Sequence, residues 1–158
     1  KRQIYEMSHI LYGGVFVKET KAPEGYLLDE NAYYVEITEN GKIYEVENEA
    51  GKGFVNAAQT GSLRIEKTSS DGKVEGFSFR VTGANGYDQT FKTDSTGKIE
   101  ITGLRVGDYT VSEVSDNASA NYVLPADKTV TIFADKTTVA QNCATHRKPA
   151  TRASRGCG

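Results

Sequence analysis

Two ionisable side chains stand where apolar ones are expected. In Leu63-Arg64-Ile65-Glu66-Lys67, apolar and polar residues alternate, and Lys67 keeps the parity of Leu63 and Ile65. In Tyr109-Thr110-Val111-Ser112-Glu113, Glu113 keeps the parity of Tyr109 and Val111. Alternate residues of a strand share a face, so both side chains are expected to point into a core. Two buried charges are costly unless they pair or react. Burial lowers the pKa of a lysine and raises that of a glutamate. Such a pair can exist as neutral amine and neutral acid, and a neutral amine is a nucleophile. Parity alone leaves two other readings open. One is a plain buried ion pair, the other a pair at strand ends that reaches water.

The elements that would hold these groups are strands. Phe77–Val81, Ile99–Ile101 and Thr129–Ile132 alternate in the same way. Between the runs lie turn sequences: Ser70-Asp71-Gly72, Ala84-Asn85-Gly86, Ser95-Thr96-Gly97 and Arg105-Val106-Gly107-Asp108. Short strands spaced by such turns predict a small sandwich. No amphipathic helix is visible, and Val46–Ala58 holds one turn at most.

The chain repeats itself. Ile4–Glu19 aligns with Lys98–Glu113 at an offset of 94 residues, with Val15 on Tyr109, Val17 on Val111, Gly13 on Gly107 and Glu19 on Glu113. Further on, Tyr26 aligns with Tyr122, Val35 and Ile37 with Val130 and Ile132, and Asn48 with Asn142. Repeats of this size read as tandem domains. The expected organisation is the C-terminal half of a domain at 1–56, a linker at 57–61, a complete domain at 62–142 and a basic tail at 143–158. The chain thus reads as a fragment of a longer tandem protein, cut inside a domain.

Composition narrows the function. The 158 residues carry 19 Lys plus Arg and 21 Asp plus Glu, a net charge of -2, which argues against nucleic acid as a partner. No apolar run is long enough to span a membrane. The tail holds Arg147, Lys148, Arg152 and Arg155 and no acid, and it reads as disordered or foreign to the domain. The two cysteines, Cys143 and Cys157, both fall in the tail, so the body needs some other means of stabilisation. His9 falls in a strand-end turn and His146 in the tail, so neither is expected to serve in catalysis. No catalytic triad, metal spacing or phosphate loop is present, so neither a turnover enzyme nor a cofactor is expected.

Val17-Lys18-Glu19-Thr20-Lys21-Ala22-Pro23-Glu24-Gly25-Tyr26 resembles the signature of Cna B-type domains, also called SpaA-type or prealbumin-like pilin domains. Leu63–Thr68, Asp71-Gly72 and Gly76–Phe79 resemble it as well. The second copy departs at Val111–Asp116, which lacks the Pro and Gly. The resemblance implies an all-β fold of tandem prealbumin-like (Ig-like) β-sandwich domains, the first one truncated. It implies a place in surface adhesins or pilus subunits of Gram-positive bacteria, extracellular and at the cell wall, with signal and anchor outside this fragment. Leu124-Pro125-Ala126-Asp127 is not a sortase signal. The implied partners are neighbouring tandem domains. The implied role is a structural stalk or spacer, and the alternative is an adhesin domain that binds a host matrix protein or glycan through Tyr33, Tyr34, Tyr44 and Tyr87.

The resemblance also implies a self-formed Lys–Asn isopeptide bond between Lys67 and Asn142, with Glu113 as proton shuttle. It implies Glu19 and Asn48 as the equivalents in the truncated copy, whose lysine would lie upstream of Lys1. Asn142 fits if Thr138, Ala140 and Asn142 face inward. If Val139 faces inward instead, Asn142 points out and no bond forms.

Overall fold

A computed structural model describes residues 2–3 and 10–147. Ile4–His9, with the repeat positions they carry, and the tail beyond Arg147 lie outside the described residues. The chain divides into two compact units, 1–59 and 60–158.

The second unit is a sandwich of two four-stranded sheets. Its strands are β7 (Thr60–Ser69), β8 (Ser78–Gly83), β9 (Tyr87–Lys92), β10 (Lys98–Arg105), β11 (Gly107–Glu113), β12 (Tyr122–Val123), β13 (Lys128–Ile132) and β14 (Thr137–His146). One sheet has the order β10-β7-β14-β12 and the other β13-β11-β8-β9. The six strands of unit 1, given below, keep the numbers β1 to β6. Period-2 alternation is what makes two sheets pack: Leu63 and Ile65 on β7 are fully buried, as are Phe79 and Val81 on β8. Tyr109 and Val111 of β11 and Ile99 and Ile101 of β10 complete the core. The two central strands, β7 and β14, run parallel, with Asn142 opposite Lys67 and Ala140 opposite Ile65.

Two boundaries differ from those expected, and one strand was not foreseen. Thr60 and Gly61, assigned to the linker, belong to β7. A Cβ on Gly61 would overlap the Phe133 carbonyl and the Ile132 side chain, so the start of β7 packs tightly under the β13–β14 turn. At the other end β14 continues four residues past Asn142 to His146, because Ala144 extends the buried face and is itself fully buried. Strand β9 had no counterpart in the sequence reading. It is an edge strand with an exposed face, and only Phe91 and Tyr87 mark its inner side.

The end of the sandwich is tied by Tyr122. Its hydroxyl donates to Asp71 Oδ2 at 2.6 Å, and its ring packs edge-on against Phe77 and His146. Desolvation pushes the Asp71 carboxyl up, but the hydroxyls of Tyr122 and Ser69 and the Lys73 amide outweigh it and hold it at about 2. Burial and the Asp71 carboxylate push the Tyr122 phenol up to about 12.

The first unit holds β1 (Arg2–Gln3), β2 (Gly13–Lys18), β3 (Ala32–Ile37), β4 (Glu47–Asn48), β5 (Gly51–Lys52) and β6 (Phe54–Val55). Strands β2 and β3 pair antiparallel with Gly13 opposite Ile37. The same register joins β11 to β13, where Gly107 lies opposite Ile132. Strand β1 pairs directly with β6. In the second unit the equivalent strands, β10 and β14, have β7 between them.

Candidate functional site

Lys67 is the eighth residue of β7, and Leu63 and Ile65, which precede it on the same face, are fully buried. Glu113 ends β11 in the opposite sheet, opposite Phe79 of β8. Asn142 lies beside Lys67 in the parallel ladder. Three strands from two sheets thus aim their side chains at one point inside the sandwich. Lys67 Nζ donates to Glu113 Oε2 at 3.1 Å and to Asn142 Oδ1 at 3.3 Å. The side chains of Lys67 and Glu113 have no solvent exposure at all, and Asn142 is buried. Ala140, Asn142 and Ala144 face inward, while Val139 is 46% exposed. That settles the parity left open by the sequence: the strand turns Asn142 to the core.

The surroundings are apolar. Lys67 Nζ sits over the ring of Phe77, 4.7 Å from its centroid, a neighbour that sequence reading did not place at the site. Burial pulls the Lys67 amine below its usual range, against the opposing pull of Glu113. Burial pushes the Glu113 carboxyl above its usual range, and the nearby charge of Asp116 pushes the same way. Both directions favour the neutral amine and the neutral acid. Glu113 Oε1 is buried and makes no hydrogen bond. An oxygen in that position is free to take up a proton released by the amine.

Such a site has the parts needed for acyl transfer from an amide to an amine. Burial favours the neutral form of the amine, the amide of Asn142 is within hydrogen-bond reach of it, and a carboxyl contacts the same nitrogen. Among the described residues no group of His, Cys, Asp and Glu could hold a metal.

In the first unit Glu19 is 5% exposed and Asn56 is 4% exposed. Asn56 Nδ2 donates to Glu19 Oε2 at 2.6 Å and to the Leu27 carbonyl at 3.0 Å. The Asp29 amide also donates to Glu19 Oε2. The amide beside Glu19 is therefore Asn56, and the expectation of Asn48 is corrected. Asn48 is used locally: it donates to the Gly53 carbonyl and accepts from the Ala50 amide, closing the β4–β5 hairpin. That hairpin lengthens the chain ahead of the last strand, so a fixed offset lands eight residues short. The buried pair Phe54 and Asn56 repeats the buried pair Ala140 and Asn142, and that alternation was the signal available in the sequence.

The model of the SpaA prealbumin-like fold domain family matches residues 3–52 and 61–145. The chain belongs to this family. Its SpaA units are similar in structure to several solved proteins. The Bacillus anthracis TIE protein superposes with a TM-score of 0.52 at 24% identity, over 76% of this chain and 20% of that one. The minor pilin GBS52 of Streptococcus agalactiae gives 0.51 at 21% identity, over 94% of this chain and 66% of that one. A C-terminal fragment of the pilus adhesin SpaC from Lactobacillus rhamnosus GG gives 0.54 at 14% identity, over 90% and 79%. At these identities the likeness shows the fold. The chain spans less than two thirds of the TIE and GBS52 chains. No curated protein matches it.

The four tyrosines named for ligand contact have separate roles in the two SpaA units. Tyr33 is half-buried, packs edge-on against Phe54 and donates to Asp29. Tyr34 lies on the other face of β3, where it meets Phe16 edge-on and both rings are exposed. The Tyr44 hydroxyl binds the Thr38 and Glu39 amides. Tyr87 packs against Tyr109.

Proposed function

We propose that this chain is a structural stalk module of a Gram-positive surface protein or pilus subunit. Its second unit is closed by an autocatalytic isopeptide bond between Lys67 and Asn142. The observation that carries this reading is the buried contact of Lys67 Nζ with both Glu113 and Asn142, at 3.1 and 3.3 Å. In the reaction the amine of Lys67 attacks Cγ of Asn142. The Nζ–Cγ bond forms, the Cγ–Nδ2 bond breaks, and ammonia leaves. Glu113, a neutral acid at the outset, gives its proton to the Asn142 carbonyl oxygen as the bond forms, takes one from the attacking nitrogen, passes it to the leaving nitrogen and recovers its own as the carbonyl re-forms. The contact geometry supplies the proximity. Each molecule reacts once, so this is maturation and not turnover. Family membership supports placement outside the cell, at the cell wall, in series with neighbouring domains of the same protein. The adhesin alternative has less support, since of its four tyrosines Tyr33, Tyr44 and Tyr87 are engaged in local packing or turn contacts.

The strand pairing supports a mechanical role. Strands β7 and β14 are parallel neighbours, paired from Ser62–Thr137 to Ser69–Ala144. Tension applied at the start of β7 and the end of β14 therefore shears this ladder and loads its rungs together. A Lys67–Asn142 bond would carry the load covalently and keep the residues between them out of the force path. Pulling single molecules between residues 60 and 147 tests this. The wild-type unit is expected to show no long unfolding step. Lys67→Met is expected to release the 75-residue span, about 250 Å of extended chain. A full-length step in the wild type would reject the reading.

A further inference from the structure

Glu113 is the last residue of β11, so the turn that follows it helps to decide where its carboxyl stands. The next residue, Val114, donates its amide to the Ser78 carbonyl at 2.8 Å, one step beyond the pair of Glu113 and Phe79. The chain then leaves the sheet, and Asp116 locks the departure. The hydroxyl of buried Ser78 donates to Asp116 Oδ2 at 2.6 Å. The Ala118 and Ser119 amides donate to Oδ1 at 2.9 and 3.2 Å. The buried Ser119 hydroxyl accepts from the Asp116 amide and donates to the Val114 carbonyl.

The first unit closes the corresponding turn with other residues. There Glu19 is followed by Pro23 and Gly25, and the Tyr26 amide donates to the Pro23 carbonyl at 3.1 Å. In the second unit the Tyr122 amide donates to the Ser119 carbonyl at 2.9 Å. This second connection lacks the Pro and Gly and is held by Asp116 in their stead. Asp116 also brings a charge. Its side-chain donors are a hydroxyl and two amides, which keep it ionised without neutralising it, and the Ser78 hydroxyl is the main reason its carboxyl lies below the usual range. The charges that act on Glu113 are Lys67 of β7 and Asp116 of this turn. The neighbours from β8 and β14, Phe79 and Asn142, carry none. The charges that act on Lys67 are Glu113 and Asp71.

We propose that Asp116 is a positioning residue for the bond between Lys67 and Asn142. This rests on the isopeptide reading given above. Asp116 acts through Glu113: its contacts with Ser78 and Ser119 fix the end of β11, and its carboxylate disfavours a second negative charge close by. Glu113 thereby enters the reaction as the acid that proton transfer to the Asn142 carbonyl oxygen requires.

The test is the rate of bond formation against pH. The full chain is kept unfolded in guanidinium, where its full sequence mass shows it to be unreacted, and is then diluted into buffers from acid to alkali. Intact mass spectrometry times the loss of one ammonia, and tyrosine fluorescence follows folding in the same samples. Asp116→Asn keeps the shape and removes the charge. Its alkaline limb is expected to move to lower pH, because Glu113 then ionises more readily, while the acid limb moves less. Asp116→Glu keeps the charge and is expected to hold the alkaline limb at its wild-type position. An Asp116→Asn profile with its alkaline limb unmoved overturns the proposal, whether the rate is unchanged or lower throughout, since a merely structural residue would leave the limb in place. Where Asp116→Asn does not fold, Ser78→Ala decides. It loosens Asp116 and leaves the charge, so the reaction is expected to slow by about tenfold or more at every pH, and an unchanged rate overturns the proposal. A folded wild-type chain that loses no ammonia at any pH overturns the isopeptide reading itself, and the role of Asp116 with it.

Discussion

Asn142→Ala is expected to lower the unfolding free energy of the second unit by about 4–5 kcal/mol, the value for a cross-link closing a loop of this size. The loop runs from Lys67 to Asn142, a separation of 75 residues. The stabilisation acts by restricting the unfolded chain, so it does not depend on the number of native contacts. The substitution leaves Lys67 paired with Glu113, and the small buried side chain it adds resembles its neighbours Ala140 and Ala144. The fall is therefore mostly that of the lost bond. In a domain of this size each kcal/mol moves Tm by about 4–8 °C, so the transition drops by tens of degrees. The denaturant m-value rises in the variant, because an unlinked chain exposes more surface on unfolding. Equal stability and equal m-values in the two proteins would contradict a covalent link.

Glu113→Ala has a larger effect, because it removes the shuttle and also strands a charge. Lys67 would then sit in a core with no counter-ion, which costs about 3–5 kcal/mol beyond the lost bond. The double variant Lys67→Met with Glu113→Leu also lacks the bond but buries no charge. It is expected to be more stable than Glu113→Ala by that margin, as read by urea unfolding. Equal stability would mean that the two side chains are not in fact desolvated together.

The same pair sets a pH dependence. The amine is neutral only above the lowered pKa of Lys67, and the acid is protonated only below the raised pKa of Glu113. Bond formation on refolding is thus expected to be fastest in a window between these limits. It slows in acid as the amine is protonated and in alkali as the carboxyl ionises, with apparent values that belong to the pair. In unreacted Asn142→Ala the two shifts act oppositely on stability. The raised Glu113 value makes stability fall as pH rises past the ordinary glutamate range. The lowered Lys67 value makes it rise as pH climbs from that value towards the ordinary lysine range.

Lys67 and Glu113 were legible because strand parity is a one-dimensional property. Their apolar neighbours Leu63, Ile65, Tyr109 and Val111 mark the inner face without knowledge of any partner strand. Asn142 was not legible in this way, since Val139 and Ala140 are adjacent and either could lead the inner face. The choice is made by pairing with β7, a contact between residues 75 apart. Asn56 was missed for a related reason. A repeat read at constant offset cannot see the β4–β5 hairpin, which spends Asn48 on its own turn. Edge strand β9 was missed because exposure on one side and few apolar residues on the other leave little alternation to read.

The central claim is that Lys67 and Asn142 are joined. Intact mass spectrometry of the reduced, folded chain tests it most directly. The account predicts a mass lower than the sequence mass by one ammonia, a loss absent in Glu113→Ala and in Lys67→Met. A folded wild-type chain at its full sequence mass would contradict it.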